Sequence, residues 1–198
     1  MSSPLVLGIA GSPRRRGNSE RLLEAALAGA RDAGARTSVL IAAESDVHPC
    51  LGCNACSLTG ECVQQDGGPA LYEAIDAADA IIVASPVFFA TVPSVLKIVY
   101  DRMQPYWARQ YVLKQMTPAR RPGAILLTRS GGDPYGFDAA DATTRSVFAV
   151  LGIDVIGEVR VTGVEGPTDI EARLDALAEA RELGRAVAQE ALARLVSE

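Results

Sequence analysis

Four cysteines lie within thirteen residues of this chain, and their type and spacing suit metal binding or electron transfer. They are Cys50, Cys53, Cys56 and Cys62, in the pattern C-x2-C-x2-C-x5-C, and the sequence contains no other cysteine. Disulfides that stabilise a fold usually join distant segments, whereas clustered thiols in a reducing compartment more often bind metal or exchange electrons. From the residues alone, an iron-sulfur cluster, a four-thiolate zinc site and a Cys50–Cys53 redox disulfide all remain open.

A polar loop near the amino terminus is a second candidate site, in this case for a phosphate group. Residues 11–19 read Gly-Ser-Pro-Arg-Arg-Arg-Gly-Asn-Ser, and a helical pattern begins at Asn18 or Ser19. The start of a helix offers free backbone N–H groups and a positive dipole end to an anion. The loop lacks the Gly-Lys-Ser/Thr of an ATP-binding loop and the G-x-G-x-x-G of a dinucleotide fold. The alternative is a solvated turn with three surface arginines, and Arg15 is expected to be surface charge in either case.

Apolar runs that resemble strands alternate with amphipathic helical patterns along the whole chain. The alternation predicts a flavodoxin-like α/β fold, with a doubly wound five-stranded parallel sheet in a three-layer α/β/α arrangement. We expect a single domain over residues 1–198, with a cysteine-bearing loop at 44–68 and an excursion at 104–121. Ligands of such folds bind at the carboxyl ends of the strands, where the winding reverses. The predicted strands are 5–10, 36–42, 80–85, 123–128 and 154–161.

Composition and charge narrow the class of partner. Apolar residues make up 48% of the chain and the net charge is −5, so no overall basic field attracts nucleic acid or anionic lipid. No apolar run approaches the roughly 20 residues that span a bilayer, so we expect no membrane insertion. The arginines at 14–16 follow the apolar stretch 5–10 instead of preceding it, unlike a secretory signal. We therefore expect a cytoplasmic protein whose partners are small molecules.

The first strand and the loop after it carry a resemblance to a known family. The pattern Gly-Ser-Pro-Arg-x-x-Gly-Asn-Ser is similar to the NAD(P)H-dependent FMN reductases and quinone reductases of the flavodoxin-like superfamily. The resemblance implies FMN as the cofactor and NAD(P)H as a co-substrate. It also implies a set of residues around the FMN phosphate: Ser12, Gly17, Asn18 and Ser19, with Arg14 or Arg16 assisting.

Two further loops resemble the flavin-ring segments of the same family. Residues 85–93 resemble its Ser-Pro-x-Tyr/Phe segment, and residues 128–132 resemble its Ser/Thr-x-Gly-Gly turn. A planar ring needs a flat apolar wall and nearby backbone donors, and glycine lets the backbone approach it closely. For one of the two phenylalanines, core packing is the alternative. The implied ring contacts are Pro86, Val87, Phe88, Phe89, Thr128, Ser130, Gly131 and Gly132.

The cysteine pattern closely resembles the compact motif of the iron-sulfur flavoproteins, a subgroup of this family. The resemblance implies a 4Fe-4S cluster beside FMN, held by Cys50, Cys53, Cys56 and Cys62. The residues that follow the last cysteine, 63–66, read Val-Gln-Gln-Asp and lack the acidic pair common in relatives. The sequence around Lys97 also matches a family feature, Leu-Lys-x-x-x-Asp-Arg, in which we interpret Asp101 and Arg102 as structural or interface residues.

The predicted function is therefore an FMN-dependent oxidoreductase. It would transfer electrons from NAD(P)H or another reduced donor to a quinone, a flavin or an iron-sulfur acceptor. No catalytic side chain is expected, because the flavin carries the chemistry. The resemblance also implies a homodimer or homotetramer with a site shared between subunits. The competing hypotheses are a non-enzymatic electron carrier and a thiol-based or metal-based redox sensor.

Overall fold

A five-stranded, fully parallel sheet forms the centre of the computed structural model, which describes residues 3–115 and 119–197. The strand order is β2-β1-β3-β4-β5, so the winding reverses between β1 and β3, as in flavodoxin-like folds. This confirms the predicted fold class. The strands are β1 (Leu5–Ala10), β2 (Arg36–Ile41), β3 (Ala80–Pro86), β4 (Arg121–Arg129) and β5 (Ile153–Thr162).

Helices cover both faces of the sheet and complete the three layers. One core lies between the sheet and helices α1 and α7, and a second lies between the sheet and helices α3, α4 and α6. A π-helical turn, Ala108–Val112, follows α5, and a 3-10 turn, Asp169–Ala172, precedes α7. The helices are α1 (Asn18–Asp32), α2 (Cys56–Thr59), α3 (Gly68–Asp76), α4 (Ser94–Asp101), α5 (Gln104–Trp107), α6 (Asp138–Val150) and α7 (Leu174–Ser197).

The central strands are apolar on both sides because both sides are covered. Ile82 and Leu126 face α1 and α7, whereas Ile81 and Ile125 face α3, α4 and α6, and all four are fully buried. Successive side chains of a strand point to opposite faces, so such a strand becomes a continuous apolar run. This is why the strongest strand of the sequence, at 80–85, is also the most deeply buried one.

Four of the five strands differ from their predicted bounds by one or two residues. The largest difference is at β4, which begins at Arg121, two residues before the predicted start. The predicted excursion at 104–121 contains α5 and the π-helical turn, and its residues 116–118 lie outside the described residues. Within residues 3–115 and 119–197, every helix is too short or too polar to cross a bilayer.

Helices α1 and α7 cross so closely that their backbones touch. A Cβ atom added at Gly184 would lie 1.8 Å from the carbonyl oxygen of Ala26, and one added at Gly29 would lie 1.8 Å from that of Arg181. Real Cβ atoms do not approach an oxygen so closely, so only glycine allows this crossing. The contact holds α1, whose first turn faces the carboxyl edge of the sheet, in a fixed position against α7.

We expect Gly184→Ala to lower the free energy of unfolding by about 1–3 kcal/mol, because the new methyl group forces the two helices apart. Alanine at an unobstructed helix position would instead stabilise the helix by about 1 kcal/mol. Urea denaturation followed by circular dichroism measures the difference. Glu179→Ala, at an exposed position of the same helix, is the control and should stay within about 0.5 kcal/mol of the parent. A Gly184→Ala protein as stable as the parent would contradict the close crossing.

Candidate functional site

The loop after β1 starts at the point where the winding of the sheet reverses. The N–H of Gly11 donates to the carbonyl oxygen of Ala84 on β3, at 2.8 Å. A Cβ at Gly11 would lie 2.4 Å from a methyl group of Leu96 on α4, so the chain here runs tightly between β3 and α4. Residues 12–17 then turn away from the sheet and lead into α1. The loop is thereby fixed at its first residue and open above the strand ends.

The first turn of α1 has no side chain that caps it. Gly17 is the N-cap residue, in an extended conformation, and makes no side-chain hydrogen bond to the helix. Arg21 N–H donates to the carbonyl oxygen of Gly17 at 3.0 Å, which is the first hydrogen bond of the helix. Two hydroxyl groups lie beside this helix start, those of Ser12 and Ser19, which are 6% and 3% exposed. Uncapped amides, a positive dipole end and buried hydroxyls form a cradle suited to an anion.

The three arginines of this loop have different roles. Arg15 pairs with Glu20 at 2.9 Å and also with Glu44, as expected for a surface charge. The hydrogen bond from Arg15 lowers the pKa of the Glu20 carboxyl, which therefore stays ionised. Arg14 lines the cleft above the loop and forms no ion pair within the described residues. Arg16 has left-handed backbone angles and lies outside the cleft, so Arg14 is the arginine of this loop that is available to an anion there.

Asn18 has a structural role that the sequence pattern does not show. Its side-chain N–H donates to the carbonyl oxygen of Gly166 at 2.7 Å, and its side-chain oxygen accepts from Ile170 N–H at 3.1 Å. Both ends of the amide are thus used to attach the segment after β5 to the start of α1. The contribution of Asn18 to an anion at this place would come from its backbone N–H.

The loop after β3 forms the second wall of the cleft. Pro86, Val87 and Phe88 line it, and Val87 N–H donates to the carbonyl oxygen of Thr128 at 2.8 Å, which joins the loop to β4. Phe88 is 45% exposed, so one side of its ring is open to solvent. Thr128 and Ser130 form the third wall. The three walls come from the loops after β1, β3 and β4, the three loops that the sequence pattern selects.

A strained turn closes the loop after β3. Phe88 and Thr91 exchange two backbone hydrogen bonds, at 2.8 and 3.2 Å, around Phe89 and Ala90. Both central residues have positive φ, 49° and 69°, the geometry of a type I′ turn that normally requires Asn-Gly. Such angles cost roughly 1–3 kcal/mol for each non-glycine residue, so the surroundings must hold them. Phe89 is fully exposed at the tip and does not line the cleft.

Asp133 holds this turn and is not among the site residues predicted from the sequence. Its carboxylate accepts from Ala90 N–H at 3.0 Å and from Tyr135 N–H at 2.8 Å. Its carbonyl oxygen accepts from the Arg129 guanidinium at 2.9 Å. The residue therefore joins the loops after β3 and β4. An aspartate directly after a Gly-Gly turn is the sequence signal, because aspartate often accepts backbone hydrogen bonds in loops.

The structure brings most of the predicted flavin-site residues together in one cleft of about 180 Å³. Four predicted residues lie outside the cleft: Arg16, Phe89, Gly131 and Gly132. The two glycines have positive φ, and a Cβ added at either would lie more than 4 Å from every non-adjacent residue that the structure describes. Arg129, Val164 and Glu165 line it and were not predicted. The predicted residues that line the cleft are Ser12, Arg14, Gly17, Asn18, Ser19, Pro86, Val87, Phe88, Thr128 and Ser130.

The cleft fits a phosphate ester that carries a planar group. Its phosphate end has uncapped amides, Ser12, Ser19 and Arg14, and its other end has the apolar surface of Pro86–Phe88. Small-molecule sites usually measure about 300–1,000 Å³. A ligand of FMN size would therefore fill the cleft with its phosphate and chain and extend its ring over the exposed face of Phe88.

All four cysteines line a separate cavity of about 340 Å³. They are free thiols, of which Cys50, Cys56 and Cys62 are partly buried and Cys53 is exposed. The chain reverses direction between the first three at Gly52 and Asn54, both with positive φ. Burial raises the pKa of the Cys56 thiol. The cavity shares no lining residue with the cleft above β1.

A buried ion pair fixes the cysteine-bearing loop. The side chains of Arg102 and Asp66 are 1% and 0% exposed, and Arg102 Nη2 lies 3.0 Å from the Asp66 carboxylate. Arg102 also donates to the carbonyl oxygen of His48 at 2.9 Å, while Asp66 accepts from the N–H groups of His48 and Gly68. The hydrogen bond from Arg102 holds the pKa of Asp66 well below its usual range. Both ends of the loop are thereby attached to the residue that follows α4.

The spacing of the cysteines can be compared with two kinds of metal centre. A zinc ion holds four sulfurs at about 2.3 Å, which places the sulfurs about 3.8 Å from one another. In the part of the chain that the structure describes, no three His, Cys, Asp or Glu side chains converge closely enough for one metal ion. A cubane cluster spreads its thiolates over a much wider tetrahedron. Four thiolates are the donor set of such a cluster, and all four cysteines line one cavity.

Residues 4–166 of the chain match the protein family described as NADPH-dependent FMN reductase. The chain belongs to this family. The match includes every predicted flavin-site residue and all four cysteines. Membership confirms the predicted resemblance and the prediction of an NAD(P)H-dependent flavin oxidoreductase, and it supports FMN as the flavin. It does not identify the electron acceptor.

Several relatives of this FMN reductase family member are named iron-sulfur flavoproteins. The relative from Methanocaldococcus jannaschii is 30% identical over 191 residues, which cover 93% of this chain and 95% of that protein. A relative from Archaeoglobus fulgidus is 38% identical over 104 residues, or 52% of this chain and 47% of that protein. One from Methanosarcina thermophila is 37% identical over 130 residues, or 64% and 65% of the two chains.

Solved structures share the fold of this FMN reductase family member. A flavone reductase superposes with a TM-score of 0.69 at 16% identity, covering 98% of this chain and 65% of that one. An FMN-dependent NADH-azoreductase from Bacillus anthracis, solved in complex with FMN, gives 0.64 at 16% identity and covers 93% and 99% of the two chains. At such low identity, the likeness establishes the fold.

We expect Asp133→Ala in this FMN reductase family member to release the strained turn, because Ala90 N–H loses its acceptor. Backbone amides of residues 88–91 should exchange with deuterium at least about tenfold faster, the factor for a loss of 1.4 kcal/mol. Hydrogen exchange followed by mass spectrometry measures this in the protein without ligand. Asp138→Ala, which removes an exposed carboxylate at the start of α6, is the matched control. Parent-like exchange at 88–91 would show that Asp133 does not hold the turn.

Proposed function

We propose that the chain holds FMN in the cleft above β1, β3 and β4 and uses it to pass electrons from NAD(P)H to an acceptor. The observation that carries the proposal is the uncapped start of α1, opposite an apolar wall at the point where the winding reverses. Anions bind at helix starts, and ligands of doubly wound sheets bind at this reversal. Membership of the FMN reductase family supports the same assignment.

The phosphate group is assigned to the first turn of α1. Backbone N–H groups of the helix start would donate to its oxygens, together with the hydroxyls of Ser12 and Ser19. Arg14, which has no carboxylate partner within the described residues, would add a charge-assisted hydrogen bond. Arg15 pairs with Glu20 and Glu44 and so balances the charge of these two carboxylates beside the loop.

The flavin ring is assigned to the walls formed by Pro86–Phe88 and by Thr128 and Ser130. Bound FMN supplies hydride acceptance and one- or two-electron donation, so the chain itself needs no acid or base. The protein holds the loops rigid through the hydrogen bonds of Val87 to Thr128 and of Ala90 to Asp133. The open backbone at Gly131 and Gly132 leaves room for the polar edge of the ring. Quinones and other flavins are the acceptors that such a flat, open site suits.

Ser19→Asp tests the phosphate assignment, because it places a carboxylate at the helix start that should receive the phosphate. We expect the affinity for FMN to fall by at least about a hundredfold, or about 2.7 kcal/mol. Affinity for riboflavin, which has the same ring and chain without the phosphate, should change much less. Fluorescence quenching of each flavin on titration with the apoprotein measures both affinities.

Ser146→Asp is the control for added charge, since Ser146 is exposed on α6, outside the cleft. Arg14→Gln is the conservative second variant and should weaken FMN about tenfold while it leaves riboflavin binding intact. Equal losses for FMN and riboflavin, or no loss for either, would contradict the assignment of the phosphate to this helix start.

We propose that Cys50, Cys53, Cys56 and Cys62 hold a 4Fe-4S cluster as a second centre. The cavity that all four cysteines line supports it. Relatives named iron-sulfur flavoproteins support it as well. Such a cluster supplies one-electron transfer. The iron-sulfur centre is then a further acceptor within the assembly.

Cys56→Ala should abolish the cluster, because a 4Fe-4S cluster in this cavity needs all four thiolates. Anaerobic reconstitution followed by iron and sulfide analysis should give about four of each per parent chain. Ser57→Ala, the adjacent change in α2, should keep the full iron content. Stoichiometric zinc without iron in the parent protein would overturn the cluster and favour a zinc site.

We also propose that the functional assembly is a homodimer or homotetramer. Three large apolar side chains of the cysteine-bearing loop are strongly exposed, namely Leu51, Leu58 and Val63 at 72%, 82% and 61%. A single exposed apolar side chain is ordinary, whereas several on one loop beside a cavity favour coverage by another surface. A second copy of the chain would bury them and shield the cluster from solvent.

A further inference from the structure

Arg102 makes a contact that a purely structural ion pair does not need. Its Nη2 lies 3.4 Å from the sulfur of Cys62 and donates to it, while the same guanidinium pairs with Asp66. Arg102 lines the four-cysteine cavity, so a buried cation lies directly against one of its four thiols. No corresponding cation contacts Cys50, Cys53 or Cys56 among the described residues.

Burial of the Arg102 cation is energetically unfavourable, so its position indicates a role beyond packing. Transfer of a charge from water into a protein interior is unfavourable, and a partner carboxylate offsets this only with good geometry. Asp66 supplies that geometry with both oxygens. An apolar pair could attach the loop at lower cost. A leucine could pack at this position but could not donate a hydrogen bond. The ion pair therefore places a positive charge and several hydrogen-bond donors there.

One donor of Arg102 has no acceptor. Its Nε–H is buried and makes no hydrogen bond within the described chain, although the two other nitrogens of the guanidinium are satisfied. The guanidinium therefore acts on the cysteine cavity through Nη2, the nitrogen that contacts the Cys62 sulfur.

We propose that Arg102 positions the Cys62 thiolate and raises the reduction potential of the iron-sulfur cluster through this hydrogen bond and its charge. The inference rests on the proposed cluster and goes beyond it, because it gives one cysteine a different electrostatic environment from the other three. Reduction adds negative charge to the cluster and its thiolates. A donor and a cation beside one thiolate stabilise that added charge, so the potential rises. Asp66 moderates the effect through its own negative charge.

A merely structural role for the ion pair predicts a different result. If Arg102 and Asp66 only hold the loop, then removal of either partner loosens the loop in the same way and shifts the potential in the same direction. If Arg102 acts on the sulfur, the two substitutions shift the potential in opposite directions. Arg102→Gln removes positive charge and lowers the potential, whereas Asp66→Asn leaves the cation unbalanced and raises it.

The experiment is a redox titration of the reconstituted full-length protein, followed by the electron paramagnetic resonance signal of the reduced cluster. For Arg102→Gln we expect the equilibrium constant for cluster reduction to fall about tenfold, which is about 59 mV for a one-electron couple. For Asp66→Asn we expect a rise. Arg102→Lys keeps the positive charge but lacks the planar guanidinium group, so its potential should lie between those of the parent and Arg102→Gln.

Arg109→Gln is the matched control. Arg109 Nε donates to the carbonyl oxygen of Gly60 at 2.7 Å, so it holds the same loop without a contact to any cysteine sulfur. Its substitution should leave the potential unchanged. If Arg102→Gln fails to fold or to hold iron, Arg102→Lys replaces it, because the weaker hydrogen bond to the Cys62 sulfur should still place its potential below that of the parent while that of Asp66→Asn lies above.

The outcomes separate this inference from the proposed cluster. A parent protein without iron or sulfide overturns the cluster and this inference together. A parent protein with a cluster whose potential is the same in Arg102→Gln, or shifts in the same direction in Arg102→Gln and Asp66→Asn, overturns the role of Arg102 alone. Opposite shifts, with Arg109→Gln unchanged, support it.

Discussion

The reversal of winding between β1 and β3 determines where the rest of the molecule can place a ligand. From β1 the chain crosses through α1 to β2 on one side, and from β2 it returns through α3 to β3 on the other side. The loops that leave β1 and β3 therefore separate above adjacent strands, which creates a cleft without the removal of any core residue. The hydrogen bond from Gly11 to Ala84 at the base of the cleft fixes the two strands together. Because β1 and β3 below the cleft are buried along almost their whole length, its floor is rigid.

Single polar side chains hold the loops around this rigid floor. Asn18 attaches the segment after β5, Asp133 joins the loops after β3 and β4, and the Arg102–Asp66 pair fixes the cysteine-bearing loop. Each forms hydrogen bonds to backbone groups of a different segment, which is how irregular chain satisfies its polar groups without a sheet or helix. Loops held in this way keep a defined geometry while their outer surfaces stay exposed for a ligand or another chain.

The sheet and the three loops above it follow from the sequence, because buried parallel strands are apolar throughout and ligand loops lie at their carboxyl ends. The individual contacts do not follow. Asn18 matches a phosphate-loop pattern, yet its side chain forms hydrogen bonds with Gly166 and Ile170, which are 148 and 152 positions away in sequence. Phe89 looks like a ring contact, but a turn with positive φ directs it into solvent. Arg102, interpreted as a structural or interface residue, pairs with Asp66 and also donates to the Cys62 sulfur. Long-range pairing decides all three, and pattern alone does not encode it.

Helix α4 connects the two proposed centres within one chain. It begins directly after the strained turn that ends at Thr91 and ends at Asp101, next to the arginine that contacts Cys62. Its eight residues span roughly 12 Å, so the loop after β3 and the cysteine-bearing loop lie at opposite ends of one short helix. Leu96 and Val99 pack this helix against the sheet. The helix that begins beside the cleft above β1 and β3 therefore also sets the position of the buried cation at its other end.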